Sequence, residues 1–561
     1  MLSPPFTNMF QVQLPIPPLK QPGRKLNSLV RRYPHLAREI WYYEMEIKQF
    51  NHSIYPNLPN TTMVGYDGIS PGPTIIVPKG TESIVRFVNN SPRKNSVHLH
   101  GSFSRAPFDG FAEDTTDPGQ YKDYYFPNQQ NGRTIWYHDH AVHITAENAY
   151  MGQAGMYIIK DPAEDALNLP SGYGVYDIPL VLTAKRYNPD GSLYSTIGEQ
   201  ISLYGDVIHV NGQPWPIFDV EPRKYRFRIL NAAVSRSFSL YLVDLAEENR
   251  PIRFQVIGSD SGLLEKPVWT PNLYLSMAER YEIILDFTNY TSSPSTVLEL
   301  RNFRKAGGAG VEEEYAHTNQ IMRLRVIPPK PSSSPDTSVI PSHLRDIPYP
   351  DPTTNPGFPG RQNKTIHHHF KFHRANGTWL INNTPFSDIQ NRVLAKPPRG
   401  TVEIWELENT TDGWSHPIHI HLVDFRVLHR SGTHFFDSAP RNVQPYERFG
   451  LKDVVWLGKE EKVWVEAHYA PWDGVYMFHC HNLVHEDDDM MGVFNVTGLI
   501  DAGLGYTDKD FIDPLEPKWR ARGFDMLHFR QRKGVFSEVG IQLRVWDMSL
   551  RDPYLFGRLP A

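Results

Sequence analysis

His479-Cys480-His481 puts one thiol between two imidazoles, and Cys480 is the only cysteine among 561 residues. The preceding run, Val475-Tyr476-Met477-Phe478, has strand character. Successive side chains of a strand point to opposite faces, so His479 and His481 share one face and Cys480 takes the other. The thiolate can then bind one metal ion while the two imidazoles bind another, with a covalent path of about 10 Å between them. His485 and Met490 follow downstream. One thiolate, two imidazoles (the second from a more distant histidine) and a weak thioether suit a blue copper ion. Zinc would call for further thiolates or a carboxylate, and there is no second thiol.

Three more pairs share the spacing of two: His98-Leu99-His100, His138-Asp139-His140 and His419-Ile420-His421. In a strand each pair aims both rings to one side. Eight rings exceed what a single copper can use, and two pairs on each of two facing surfaces would enclose a cluster of three ions. His416 precedes His419 by three residues and is the natural second histidine for Cys480.

Segments 98–101, 136–140, 416–421 and 479–490 resemble, in order and spacing, the copper motifs of the multicopper oxidases. Longer runs are similar to the fungal bilirubin-oxidising subgroup of that family: HLHGSFSRAPFDGFAED from His98, YHDHAVHITAENAYMGQAG from Tyr137, DVIHVNGQPWP from Asp206, SHPIHIHLVDF from Ser415 and MFHCHNLVHEDDDMM from Met477. The likeness extends from about residue 10 to beyond residue 513. It implies four copper ions. A type 1 ion would be held by His416, Cys480, His485 and Met490, and a type 2 ion by His98 and His419. A type 3 pair would be held by His100, His138, His140, His421, His479 and His481. Met491 competes with Met490 as the thioether; the family's spacing favours Met490, and the residues alone do not decide.

Asp109, in Phe108-Asp109-Gly110, and Glu486, directly after His485, are candidate proton carriers. Reducing dioxygen to water consumes protons, and a buried cluster needs groups to deliver them. Both match carboxylates that the resemblance assigns to this task. Read alone, Glu486 opens a solvated acidic run, Glu486-Asp487-Asp488-Asp489. The resemblance places Trp414 on the rim of the type 1 site, where substrate electrons enter; read alone, it is a partly buried aromatic. His143 is a candidate supporting residue, whereas His367-His368-His369 reads as structural and His209 as a satisfied core or interface residue.

A net charge of −5 without a long basic block argues against nucleic acid and anionic membrane as partners. No stretch of 18 apolar residues is present, so no membrane span is expected. A lone cysteine excludes an intramolecular disulfide and leaves secretion undecided. The start, MLSPPFTNMF, lacks the pattern of a signal peptide. Nine Asn-x-Ser/Thr sequons, at Asn51, Asn60, Asn89, Asn289, Asn363, Asn376, Asn382, Asn409 and Asn495, lean with the resemblance toward a secreted glycoprotein.

One pattern recurs three times. Pro78-Lys79-Gly80-Thr81 leads to Val88-Asn89, Pro222-Arg223-Lys224-Tyr225 to Leu230-Asn231, and Pro398-Arg399-Gly400-Thr401 to Glu408-Asn409. Each is a turn followed by a strand of period two. With 48 prolines and 12% aromatics, this points to an all-β chain of three consecutive Greek-key sandwiches, which the resemblance makes cupredoxin-like. The expected divisions are an N-terminal extension (1–35), sandwiches at 36–162, 163–327 and 366–513, a proline-rich linker (328–365) and a C-terminal tail (514–561) with helical pattern around 518–532. Two histidine pairs lie in the first sandwich and two in the third, so a shared cluster sits at their interface, bridged by the middle one.

The expected reaction is one-electron oxidation of a small aromatic or tetrapyrrole donor, docked beside an exposed edge of His416, coupled to four-electron reduction of dioxygen to water. The resemblance implies bilirubin, oxidised to biliverdin, together with phenols and aromatic amines, and a monomeric enzyme. A laccase or metallo-oxidase with another physiological substrate remains the alternative, although the 13 methionines form no copper(I)-binding loop. A one-electron carrier would leave the paired histidines without purpose, and a degenerate binding protein would not keep complete ligand sets.

Overall fold

The computed structural model describes residues 2–28, 38–247, 251–292, 295–303, 315–347, 365–411, 413–432, 441–498 and 509–551. Three pairs of sheets follow one another along the chain. The first pair sets Glu39–His52, Glu82–Asn90 and Gln120–Phe126 in one sheet, and Gly72–Pro78, Ala154–Lys160, Arg133–Asp139 and Val97–His100 in the other. The second is built around Asp177–Lys185, Lys224–Asn231 and Arg280–Asp286, with Phe238–Asp244, Val297–Asn302 and Gln320–Val326 opposite. The third places His368–Ala375, Val402–Asn409 and Lys462–His468 against His416–Ile420, Gly474–Cys480 and Met491–Val496.

The threefold sequence pattern has a structural cause. Glu82–Asn90, Lys224–Asn231 and Val402–Asn409 each run parallel to an earlier strand and antiparallel to a later one. Each has, at its last or next-to-last position, a buried asparagine whose amide ties down the departing chain. Asn89 Nδ2 donates to Arg93 O and Thr116 O, both at 2.8 Å, while its Oδ1 accepts from Ser91 N at 2.9 Å. Asn231 donates to Arg236 O (2.8 Å) and Leu275 O (3.2 Å), and Asn409 to Trp414 O (2.6 Å) and Gly458 O (2.7 Å). Both amide hydrogens are used, so the sequons at Asn89 and Asn409 offer no nitrogen to a glycan. Asn51, Asn60, Asn289 and Asn376 are exposed, and Asn363 lies outside the described residues.

The histidine-bearing strands Val97–His100, Arg133–Asp139 and His416–Ile420 are buried throughout. One face of these strands, with Val97, Leu99, Ile135, Tyr137, Ile418 and Ile420, joins the hydrophobic core, as do Phe478 and Cys480 from Gly474–Cys480. The paired histidines occupy the other face, which a second sandwich covers, while His416 stays on the core face. The strands therefore alternate apolar residues with histidines although both faces are buried.

The N-terminal segment crosses the middle sandwich, where Phe10 N donates to Trp215 O (2.7 Å) and Leu14 N to Ile217 O (2.8 Å). Residues 328–347 of the proline-rich stretch contain no strand or helix, and residues 348–364 lie outside the described residues. Helical structure in the tail falls later than expected. Residues 518–532 hold only the short helix Met526–Arg530, with Met526 and Leu527 exposed, while the longer helix is Glu538–Arg551. Ile541, Val545 and Met548 give that helix a buried stripe at steps of four and three, which the charged stretch before it lacks. Among the described residues, no helix is long and apolar enough to cross a membrane.

Replacing Asn89 with alanine leaves Ser91 N in the interior without its acceptor and removes one of two hydrogen bonds from each of the carbonyls of Arg93 and Thr116. It should lower stability in denaturant titration by about 2–3 kcal/mol. Asn51→Ala, at an exposed sequon, should change it by less than about 0.5 kcal/mol.

Candidate metal centres

Strand register sorts the donors. Across the antiparallel pair, Ile418 faces Cys480 and His419 faces His479. His416, two residues before Ile418, therefore falls on the Cys480 face, while His419 and His421 fall on the His479 face. Cys480 Sγ lies 3.4 Å from His416 Nδ1 and 3.5 Å from His485 Nδ1, and the two nitrogens are 3.2 Å apart. The centre of that triangle is about 1.9 Å from each corner, close to a metal–ligand bond length. His485 is delivered by the helix Leu483–Asp487, capped by Asn482. His416 Nε2 donates to Thr411 Oγ1 at 2.9 Å, which leaves Nδ1 bare. Trp379 stacks on His485 at 3.9 Å and 25°.

Register also separates the two thioethers. Met491 faces His479 across the strand pair and packs with Phe111 and Ala112. Met490 lies in the same core cluster as Cys480, and its carbonyl accepts from Cys480 N at 3.1 Å. One expectation fails here: His416 has no exposed edge. His416, Cys480 and His485 are all 0% exposed, with Thr411 and Trp379 packed on the His416 ring. Trp414, half-buried, stands 6.1 Å from Trp379 and 6.5 Å from His485, edge-on to both.

The other eight histidines converge between the first and third sandwiches. His98 and His138 face each other in one strand pair, His419 and His479 in the other. Across the interface the His98 and His421 rings are 4.0 Å apart, and His100 stacks on His419 at 3.7 Å and 16°. His140 Nε2 and His421 Nε2 lie 3.1 and 3.2 Å from His479 Nε2. His98 and His419 are 5.7 Å apart.

A layer of acceptors behind the rings decides which nitrogen faces inward. A carbonyl can only accept, so Nδ1 of His98, His138 and His419 carries the proton, donating to the carbonyls of Asp109, Asp139 and Asp453. Asp109 Oδ2 accepts from His421 Nδ1 at 2.8 Å, and Glu486 Oε2 lies 2.9 Å from His479 Nδ1. His100 is turned the other way, with Nε2 3.1 Å from Asp453 Oδ1. Glu486 is thus a buried partner of two rings (Oε1 is 3.4 Å from His140 Nδ1), not part of a solvated run. Burial pushes the Asp109 carboxyl well above its usual range. Burial also opposes charge on Glu486, but the facing His140 and His479 outweigh it and hold the carboxyl at about 2.

Two glycines allow this closeness. Gly110 (φ 79°) lets the Asp109 loop lie on the His98 strand, since a Cβ there would meet Val97 O at 2.3 Å. Gly101 (φ 89°) follows His100, and a Cβ would meet Arg280 Nη2 at 2.7 Å and Asp453 Oδ2 at 2.8 Å. Asp453 and Arg280 carry no sequence signal. They belong to no histidine motif and reach the cluster only through the fold.

The remaining candidates lie apart. His143 is exposed, its Nδ1 3.0 Å from Asp487 O. His367 Nδ1 accepts from Ile404 N, while His368 pairs with Glu403 and His369 with Glu406 and Glu408, so the three rings share no ion. His209 is buried and satisfied by Tyr187 Oη (2.9 Å) and Val207 O (3.1 Å). A cavity of about 860 Å³ opens between Phe103, Arg133, Leu263, Arg345, Asp424 and Trp472, and none of the donor residues lines it.

The donor set fits copper. Nε2 of His98, His138 and His419, Nδ1 of His100 and both nitrogens of His481 are buried without a hydrogen-bond partner, while His140 turns Nε2 inward and Nδ1 toward Glu486. Burial and the neighbouring imidazoles keep His98, His100, His419, His421 and His481 well below the usual histidine range, and His138 is held at about 3. Neutral rings with bare lone pairs are the form that binds metal. Imidazole-only sites beside one His₂Cys site suit copper better than magnesium or calcium, which take oxygen donors.

Comparison with known proteins agrees. Two multicopper oxidase family models match residues 48–164 and 359–498. The bilirubin oxidase of Albifimbria verrucaria is 56% identical over 547 residues, covering 97% of this chain and 91% of that protein. A laccase of Bacillus subtilis (strain 168) is 35% identical over 82% of this chain and 95% of its own length. The crystal structure of McoA multicopper oxidase from Aquifex aeolicus superimposes with a TM-score of 0.73 at 28% identity, covering 88% of this chain and all of that one.

Bare, buried ring nitrogens make the metal-free protein the less stable form. Stripping bound metal with a chelator should lower the calorimetric unfolding midpoint by roughly 10 °C, and re-adding copper should restore it.

Proposed function

The chain belongs to the multicopper oxidase family, and we propose that this copper-dependent oxidoreductase oxidises small aromatic and tetrapyrrole donors, bilirubin among them, with dioxygen as acceptor. In this reading His416, Cys480, His485 and Met490 hold one copper. His98 and His419 hold a second, and His100, His138, His140, His421, His479 and His481 hold a pair. Copper bound there supplies one-electron acceptance at the Cys480 site and the reduction of dioxygen to water at the histidine cluster.

The observation that carries the reading is the peptide 479–481. Cys480 closes the donor triangle in the core of the third sandwich, while His479 Nε2 lies 3.1 and 3.2 Å from two cluster nitrogens on the other face. The chain thus joins both sites by a few covalent bonds. Trp414 offers a donor the partly exposed ring next to the buried His485 and Trp379, so the donor meets Trp414 and not a histidine. Asp109, its carboxyl pushed up by burial behind His421, is placed to hold a proton that water formation consumes, and the ionised Glu486, 2.9 Å from His479 Nδ1, to accept and relay one. Bilirubin gives two electrons and two protons as it becomes biliverdin, so two donors match one dioxygen. Similarity to the Albifimbria verrucaria bilirubin oxidase supports this donor, and similarity to a laccase supports phenols.

All twelve proposed ligands come from one chain, which supports a monomer as the working unit. The exposed sequons at Asn51, Asn60, Asn289 and Asn376 support secretion as a glycoprotein.

Oxygen uptake by copper-loaded protein with bilirubin, and separately with a phenol, tests the reading. Uptake with both, abolished in Cys480→Ser, is the expected result. Uptake with the phenol alone would make the enzyme a laccase, and no uptake by a blue, fully loaded protein would overturn the oxidase. Asp109→Asn and Glu486→Gln should lower kcat by about 10²–10⁴-fold while the donor still bleaches the blue colour under argon.

A further inference from the structure

Arg280 begins the strand Arg280–Asp286 of the middle sandwich and is 0% exposed. A guanidinium has five N–H donors, and all five find acceptors here. Nε donates to Thr134 O of the first sandwich at 3.1 Å. Nη1 donates to Ala278 O at 3.2 Å and Asp453 Oδ1 at 2.6 Å. Nη2 donates to Asp260 O at 3.0 Å and Asp453 Oδ2 at 2.5 Å. The side chain thereby touches all three sandwiches.

Its partner Asp453 is held from a second direction. Asp260 Oδ1 accepts from Arg280 N at 2.8 Å, and Asp260 Oδ2 accepts from Asp453 N and Val454 N, both at 3.2 Å. Lys452 Nζ lies 3.0 Å from Asp260 Oδ2 and 2.9 Å from Glu279 Oε1. Asp453 then orients two cluster rings. Its Oδ1 is 3.1 Å from His100 Nε2, and its carbonyl accepts from His419 Nδ1 at 2.8 Å. His100 belongs to the first sandwich and His419 to the third, and the two rings stack face to face.

We propose that Arg280 is a positioning residue for the histidine cluster: by clamping Asp453 it turns His100 Nδ1 and His419 Nε2 toward the metal. The middle sandwich, which holds no ligand, thereby sets the geometry of a site between the other two. A bidentate guanidinium fixes the plane of the carboxylate, which a lysine ammonium cannot do. The inference rests on the copper reading above.

The test compares wild type, Arg280→Lys, Arg280→Met, Asp453→Asn and the Arg280→Met/Asp453→Asn double variant after copper loading and dialysis against a graded chelator. The readouts are copper per chain, the blue absorbance of the Cys480 site and the paramagnetic resonance of the cluster copper. The expected result is an intact blue band with 10–100-fold weaker copper retention at the cluster in each Arg280 variant. The double variant should be no worse than Asp453→Asn alone, because Arg280 acts through that residue. Cluster copper held as tightly as in wild type, with an unchanged resonance, would overturn the proposal. So would losses that multiply in the double variant, or a parallel loss of blue band and cluster copper, the mark of a merely structural role. If Arg280→Met does not fold, Arg280→Lys decides by the same criteria. A wild type holding a single copper sinks the oxidase reading and this inference together; a wild type holding four beside an unaltered Arg280→Lys cluster sinks this inference alone.

Discussion

Eight imidazoles crowd into one volume sealed from water, and their inward nitrogens meet only one another or nothing. Each buried, unsatisfied nitrogen costs about 1–3 kcal/mol. Five rings, those of His98, His100, His138, His419 and His481, carry six such atoms, so the total rivals the roughly 5–15 kcal/mol that keeps a domain folded. Much of the architecture answers that demand. Two sandwiches are pressed together so that strands are buried on both faces. Carbonyls and carboxylates stand behind His98, His100, His138, His419 and His421 to take the outward N–H. Glycines stand where any side chain would push the layers apart.

Alternation along the strand is the device that separates one site from the other. A spacing of two puts His419 and His421 together in the interface, and a spacing of three puts His416 into the core of the third sandwich beside Cys480. The same parity operates in His479-Cys480-His481. A single residue inserted in the strand Gly474–Cys480 would exchange the faces and send the thiol to the cluster. Histidine spacing is accordingly a strong signal here, because parity alone carries it.

For this reason the candidate donor residues stand out in the sequence, as does the all-β class, through a recurring strand that runs to Asn89, Asn231 and Asn409. Other features do not, and each depends on contacts far apart in the chain. Met490 and Met491 differ only in register against Cys480 and His479. His416 looks like a surface ligand until Trp379, from a different strand, is seen to cover it. Asp453 and Arg280 are 173 residues apart and meet only when all three sandwiches are assembled. The helix of the tail was expected in the charged residues 518–532, but a buried stripe first occurs at Ile541, Val545 and Met548.

The burial of Cys480 has a further consequence. The sole thiol of the chain is fully enclosed, and burial alone keeps it in its protonated, unreactive form. A thiol reagent can reach it only during an excursion that opens the third sandwich. In metal-free protein the labelling rate therefore reports the population of that open state, and the reagent-concentration dependence separates how often it opens from how fast it recloses. The residue that stands between the two donor clusters is also a built-in clock for the breathing of the domain around it.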